Sequence, residues 1–115
     1  MAKVSRGDVV IVKFAQGKPR PALVVQSDRN NARLINTILV QVTSNTRLAA
    51  KEPTQVFIDV TTPDGKQSGL KLSSAVKCEN IATQPAADVR QVIGRLPDSL
   101  MQQVDAALKA SLSLK

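Results

Sequence analysis

Gly17-Lys18-Pro19-Arg20-Pro21-Ala22-Leu23-Val24-Val25 is the stretch from which the architecture of this 115-residue chain is read. Prolines flank Arg20 on both sides. Pro19 fixes its own φ, and Pro21 excludes Arg20 from the helical region, so Arg20 is extended and opens a strand over Arg20 to Ser27. An arginine launched in one direction from a stiff backbone suits a bidentate, always-charged contact with phosphate. Standing alone, the segment is better read as a rigid turn that carries an ordinary solvated charge.

Working outward, the same strand chemistry recurs. Asp8 to Phe14 (DVVIVKF) reads as a buried first strand entered through Arg6-Gly7, so the Arg-Gly-Asp triplet is strand-entry chemistry rather than an adhesion motif. Asp28-Arg29-Asn30-Asn31 is a polar turn signal. A third strand is expected from about Leu34 to Val42, ending at Thr43-Ser44-Asn45-Thr46-Arg47, and a fourth over Gln55 to Val60. Pro63-Asp64-Gly65 has the composition of a tight turn. Leu70 to Glu79 alternates with period two, placing Leu72, Ser74, Val76 and Cys78 on one face and Ser73, Ala75, Lys77 and Glu79 on the other.

The period changes near the end. Asp88 to Ile93 is expected as a short helix closed by Gly94 as its C-cap. From Pro97 onward Leu100, Met101, Val104, Leu108 and Leu112 recur at helical spacing, which predicts an amphipathic C-terminal helix packed on a sheet. Five or more short strands followed by a helix argue for one domain, mainly β with a C-terminal helix, built as a small antiparallel sheet or barrel.

Composition narrows the chemistry. Phe14 and Phe57 are the only aromatic residues, so any nucleic-acid contact must rest on charge and hydrogen bonding rather than stacking. The net charge is +7, and residues 1–53 hold nine Lys/Arg against three Asp/Glu. A basic half of this kind favours a polyanionic partner, either nucleic acid or an acidic protein segment. Histidine is absent and Cys78 is alone, which excludes histidine-base catalysis, an intramolecular disulfide and the usual zinc ligand sets. No signal-peptide pattern opens the chain and no segment reaches transmembrane length, so a cytoplasmic location is expected.

Four features carry candidate chemistry, each beside a plainer reading. Arg20 is the first. Thr43 and Ser44 can donate hydroxyl hydrogen bonds to a phosphate, although strand-end hydroxyls more often satisfy local backbone groups. Glu79 can serve as a carboxylate base, although a strand Glu beside Lys77 is usually a surface ion pair worth little. Arg29, Arg33, Arg47 and Lys51 can form a basic patch, although solvated loop charges are the default.

The order of these features along a small, β-rich, histidine-free, basic chain resembles the MazF/PemK family of toxin endoribonucleases from bacterial toxin–antitoxin systems. The resemblance runs through Arg6-Gly7-Asp8-Val9-Val10, Arg20-Pro21-Ala22-Leu23-Val24-Val25 and Val42-Thr43-Ser44. It continues through Gly69-Leu70 and Ser74-Ala75-Val76-Lys77-Cys78-Glu79-Asn80-Ile81-Ala82-Thr83. It ends with Ile93-Gly94-Arg95-Leu96 and the residues Met101, Val104, Ala107, Leu108, Ser111 and Leu112.

The resemblance implies a small SH3-like, strongly twisted antiparallel barrel of the MazF/CcdB type, assembled as a homodimer. It implies a metal-independent endoribonuclease, without cofactor, that cleaves single-stranded mRNA to 2′,3′-cyclic phosphate and 5′-OH ends. It maps active-site roles onto Arg20 and Thr43, with Glu79 as general base and Lys77 keeping it ionised. Lys18, Ser44, Arg47, Lys77 and Arg29 are the expected RNA contacts. An acidic antitoxin is the expected protein partner. The chain departs from the family in two places: the loop before Arg20 (Phe14-Ala15-Gln16-Gly17-Lys18-Pro19) is short and lacks an acid or histidine, leaving Gln16 or Lys18 to substitute, and Ala82 stands where an arginine is frequent. A toxin-fold protein that acts by binding, as a CcdB-like gyrase poison or as an RNA- or antitoxin-binding module, is the alternative.

Overall fold

The computed structural model describes residues 3–14 and 17–115; Gln16, considered above as a loop substitute, lies outside the described residues. The strands are β1 (Asp8–Val12), β2 (Arg20–Val24), β3 (Asn36–Thr43), β4 (Gln55–Ile58), β5 (Ser74–Pro85) and β6 (Val89–Arg95). The helices are α1 (Asp28–Arg33), α2 (Pro63–Lys66) and α3 (Asp98–Leu112), with a 3-10 turn at Ala86–Asp88. All strand pairs are antiparallel, in the order β4-β5-β3-β2-β1-β6.

Both faces of this sheet are buried in its middle, and strand alternation sorts the core into two clusters. Val9, Leu23, Val40, Val42, Val56, Ile58, Val76 and Cys78 pack with Leu100, Met101, Val104 and Ala107 of α3. Their sequence neighbours Val10, Val12, Ala22, Val24 and Leu39 gather with Val4 and Val89 in the second cluster, against which Phe14 packs. That two-sided burial explains why β1 and β2 read as near-continuous apolar runs. Burying one such Val or Leu side chain fully contributes about 1.5–3 kcal/mol.

The sheet does not close by hydrogen bonding into a ring; β4 and β6 are its edges. The segment after α2 bridges the gap instead. Arg95 N donates to Gln67 O at 2.8 Å, and two glycines face each other across this seam. Gly69 has φ +73°, and a Cβ there would lie 1.9 Å from the Ile93 carbonyl oxygen. A Cβ on Gly94 would lie 2.3 Å from the Ser68 carbonyl carbon. The seam exists because neither side carries a side chain.

The Arg6-Gly7-Asp8 triplet does anchor the entry to β1. Gly7 N donates to Val24 O at 2.8 Å, Asp8 accepts from Ser5 N and from the Arg95 guanidinium, and Arg6 pairs with Asp105 on α3. Four expectations need correction. The polar turn at Asp28–Asn31 is the start of α1, because Ser27 caps it by accepting from Asn30 N. Pro63-Asp64-Gly65 opens α2, because Thr62 accepts from Gly65 N at 3.0 Å. In both places turn chemistry and N-cap chemistry use the same residue types. The strand placed over Leu70 to Glu79 starts later, at Ser74, and runs on to Pro85; Leu72, expected to share a face with Ser74, Val76 and Cys78, lies outside it and is 66% exposed while those three are buried.

The fourth correction is the largest. The helix expected over Asp88 to Ile93 is β6, and Gly94 lies within that strand rather than at a helix C-cap. The free edge of β1 supplies hydrogen-bond partners that no local propensity can anticipate, with Val10 opposite Val92 and Val12 opposite Val89. The C-terminal helix forms as expected, with Pro97 as its N-cap, but its buried stripe is Leu100, Met101, Val104 and Ala107; Leu108 is half-buried and Leu112 is exposed.

Candidate active site

The site follows from register. Ala22 pairs with Gln41, so extending the β2–β3 ladder by two residues sets Arg20 across from Thr43. Arg20, Gln41 and Thr43 share the parity of Ala22, Val24 and Leu39, the face turned away from α3. On the next strand Gln41 pairs with Lys77, and Lys77 pairs with Gln55 of β4. A row of polar side chains thus crosses four strands at the end where the apolar cluster stops.

A bulge shapes the row. On β3, Val40 and Gln41 are adjacent, yet their partners on β5 are Ile81 and Lys77. The extra residues Cys78, Glu79 and Asn80 bend β5, as bulges do near functional sites. The bulge brings Glu79 and Asn80 to a cavity of about 510 Å³ shared with Phe14, Arg20, Gln41 and Ala82. Asn80 Nδ2 donates to Gln41 Oε1 at 2.5 Å inside it.

A second cavity, of about 250 Å³, also contains Arg20 and Gln41 and adds Thr43, Ser44, Lys71 and Ser74. A third, of about 70 Å³, joins Thr43 to Gln55 and Lys77. Arg20 therefore stands between Glu79 on one side and Thr43 on the other. Its side chain is exposed, and among the described residues no carboxylate pairs with it.

Glu79 is held by β4. Its Oε1 accepts from Thr54 Oγ1 at 3.1 Å and its Oε2 from Gln55 Nε2 at 2.9 Å. Partial burial pushes the carboxyl up, but its own backbone N–H, Gln55, Thr54 and the Lys77 charge outweigh this and hold it below the usual carboxylate range. Glu79 is ionised at neutral pH. Thr43 has the local role expected of a strand-end hydroxyl, since its Oγ1 accepts from Asn45 N at 3.1 Å. That contact uses an oxygen lone pair and leaves the hydroxyl proton available to a ligand. Cys78 is inert: burial above all, then the charges of Glu79 and Asp105, pushes its thiol up to about 12.

The expected RNA contacts divide. Ser44 and Lys77 line the second and third cavities. Lys18, Arg29 and Arg47 line none of the three; Arg29 sits on α1, and the Arg47 backbone N–H is tied to Asn45 Oδ1 at 3.2 Å. Gln41, Asn80 and Lys71 were not singled out from sequence, because a mid-strand amide and a loop lysine carry no motif. Only the bulge and the seam bring them to Arg20. Among the described residues no group of three His, Cys, Asp or Glu side chains is placed to hold a metal ion, and no helix is long and apolar enough to cross a membrane.

Comparison with known proteins bears on family and fold. The model of the PemK-like, MazF-like toxins of type II toxin–antitoxin systems matches residues 5–112. Endoribonuclease MazF6 of Mycobacterium tuberculosis is 42% identical over 98 residues, covering 84% of this chain and 81% of its own length. Endoribonuclease EndoA of Bacillus subtilis is 35% identical over 117 residues, covering 96% of each. Among solved structures, an endoribonuclease in complex with its cognate antitoxin from a mycobacterial species superposes with a TM-score of 0.82 at 23% identity, covering 97% of each chain, a likeness of fold. The Mycobacterium tuberculosis toxin MazF-mt6 gives a TM-score of 0.78 at 25% identity, covering 94% of this chain and 98% of its own. By sequence and by fold, the chain belongs to the PemK-like, MazF-like toxin family of type II toxin–antitoxin systems.

Proposed function

We propose that this endoribonuclease toxin cuts single-stranded mRNA by turning the substrate's own 2′-OH on the adjacent phosphodiester. The 2′ oxygen bonds to phosphorus, the bond from phosphorus to the 5′ oxygen breaks, and the products are a 2′,3′-cyclic phosphate and a 5′-OH. The nucleophile belongs to the RNA, so the protein supplies positioning, charge stabilisation and proton transfer. The observation that carries this reading is the place of Arg20, exposed and with no ion pair among the described residues, between the cavities of about 510 and 250 Å³, with Thr43 on one side and Glu79 on the other.

In this reading Arg20 stabilises the non-bridging oxygens of the phosphorane. A guanidinium yields a proton reluctantly, so the 5′ oxygen takes its proton from water. Thr43, with Ser44 beside it, orients the phosphate. Glu79 accepts the 2′-OH proton through a lone pair left free by Thr54 and Gln55. Lys77 favours the ionised form of that base. Ala82, where the family often has arginine, lines the same cavity as Glu79.

The toxin acts as a homodimer in the cytoplasm, on mRNA, and an acidic antitoxin silences it. The basic half of the chain suits both polyanions. The test is incubation of purified protein with mixed-sequence RNA, with and without EDTA, followed by analysis of fragment ends. Cyclic-phosphate ends that form equally in EDTA are expected. Intact RNA together with inhibition of DNA gyrase would sink the ribonuclease reading in favour of a binding toxin.

A further inference from the structure

The cavities of about 510 and 250 Å³ share Arg20 and Gln41 but differ in electrostatic character. The one containing Asn80 also contains the ionised carboxylate of Glu79, which disfavours a second phosphate. The other holds no carboxylate. It is walled by Pro21, Val42, Leu70 and Leu72, and its polar residues besides Arg20 are Gln41, Thr43, Ser44, Lys71 and Ser74. From this contrast we propose that Lys71 is a positioning residue that holds a neighbouring backbone phosphate of the RNA while Arg20 engages the scissile one. The inference rests on the ribonuclease reading above and adds a direction to it: the strand leaves Arg20 through the cavity of Lys71.

The backbone around Lys71 is built to hold it there. On its N-terminal side Gly69 is locked against Ile93 at the seam, and Leu70 N donates to Ser68 Oγ at 3.2 Å. On its C-terminal side Ser74 Oγ donates to Leu72 O at 2.8 Å, and Ser73 Oγ accepts from Val60 N at 3.2 Å. Lys71 is exposed, and no described carboxylate pairs with it. Its charge is free for a ligand, and its origin is fixed by neighbours on both sides.

The test is steady-state cleavage of a single-stranded oligoribonucleotide by Lys71→Ala, with Lys109→Ala as control. Lys109 lies exposed near the end of α3, lines none of the three cavities, and its loss changes net charge equally. A phosphate contact present in both ground and transition states raises KM and leaves kcat in place. For Lys71→Ala we expect KM to rise about tenfold or more at low salt, the size of one charge-assisted contact. The logarithmic dependence of kcat/KM on salt should flatten by about 0.7, one single-strand phosphate contact. The bases preferred at the cut should stay as in the wild type.

Binding of a non-cleavable 2′-deoxy analogue should weaken by the same factor. Lys71→Ala kinetics indistinguishable from those of Lys109→Ala would overturn the proposal. So would an altered base preference with an unchanged salt slope, which would make Lys71 a base contact. Wild-type protein that leaves RNA intact would instead defeat the ribonuclease reading, so the two failures are separable.

Discussion

Replacing Arg20 by alanine is the most informative single perturbation. Arg20 begins β2, opposite Val12, with its side chain in solvent and no described ion pair. Truncation therefore strands no buried partner, and the stability change is expected to stay within about 0.5 kcal/mol. The flanking prolines, which set the local backbone, are untouched. Against this small structural effect stands the loss of the donor proposed to stabilise the phosphorane. Removing one charge-stabilising donor typically costs about a hundred- to a thousandfold in rate, or about 2.7–4 kcal/mol.

The assay is single-turnover cleavage of a fluorogenic RNA, run beside thermal and urea unfolding of the same preparation. Loss of the chemical step with an unmoved unfolding midpoint is the expected outcome. Arg20→Lys should recover only part of the rate, because an ammonium keeps the charge but not the two-pronged geometry. Wild-type cleavage by Arg20→Ala would refute the assignment. A defect confined to KM would also refute it, by showing a contact made equally to substrate and transition state.

Glu79→Gln tests the base. Hydrogen bonds from the backbone, Gln55 and Thr54, with the Lys77 charge, hold this carboxyl low despite partial burial. A group with a depressed folded pKa stays ionised until the pH falls through that value. The acid limb of the wild-type profile should therefore lie below the usual carboxylate range, and Glu79→Gln should lose both rate and limb; an unchanged profile would move the base role to water. The stability this carboxylate adds is present above its unfolded pKa and is lost as pH falls through the folded one. At the seam, Gly69→Ala should destabilise by about 2–5 kcal/mol, combining a left-handed φ with a Cβ overlapping Ile93 O. Gly17→Ala should cost only about 1–2 kcal/mol, because its φ is also positive but nothing lies within 4 Å of the added carbon. Equal shifts in the urea midpoint for the two variants would show that the seam is not tightly packed.

What sequence alone determined is whatever local chemistry dictates. Pro19 and Pro21 settle the extended start of β2, the period of two predicts β4 and the first half of β5, and the 3.6-residue stripe from Leu100 onward predicts α3. The order of Arg20, Thr43 and Glu79 was legible only as a resemblance to the MazF/PemK family, since each residue alone has a plainer local reading. Sequence could not decide between turn and helix at Asp28 and Pro63, where caps and turns share residues. Nor could it anticipate β6, a strand because the edge of β1 is open to pair with it.

The site itself belongs to the tertiary structure. Arg20 and Thr43 meet only through the β2–β3 register, and Glu79 reaches Arg20's cavity through a bulge that follows from how β5 pairs with β3. Lys71 arrives there because Gly69 and Gly94 let two backbones approach across an unclosed sheet. Each of these is a long-range pairing. Its energy depends on a partner tens of residues away, so no reading of neighbours along the chain contains it.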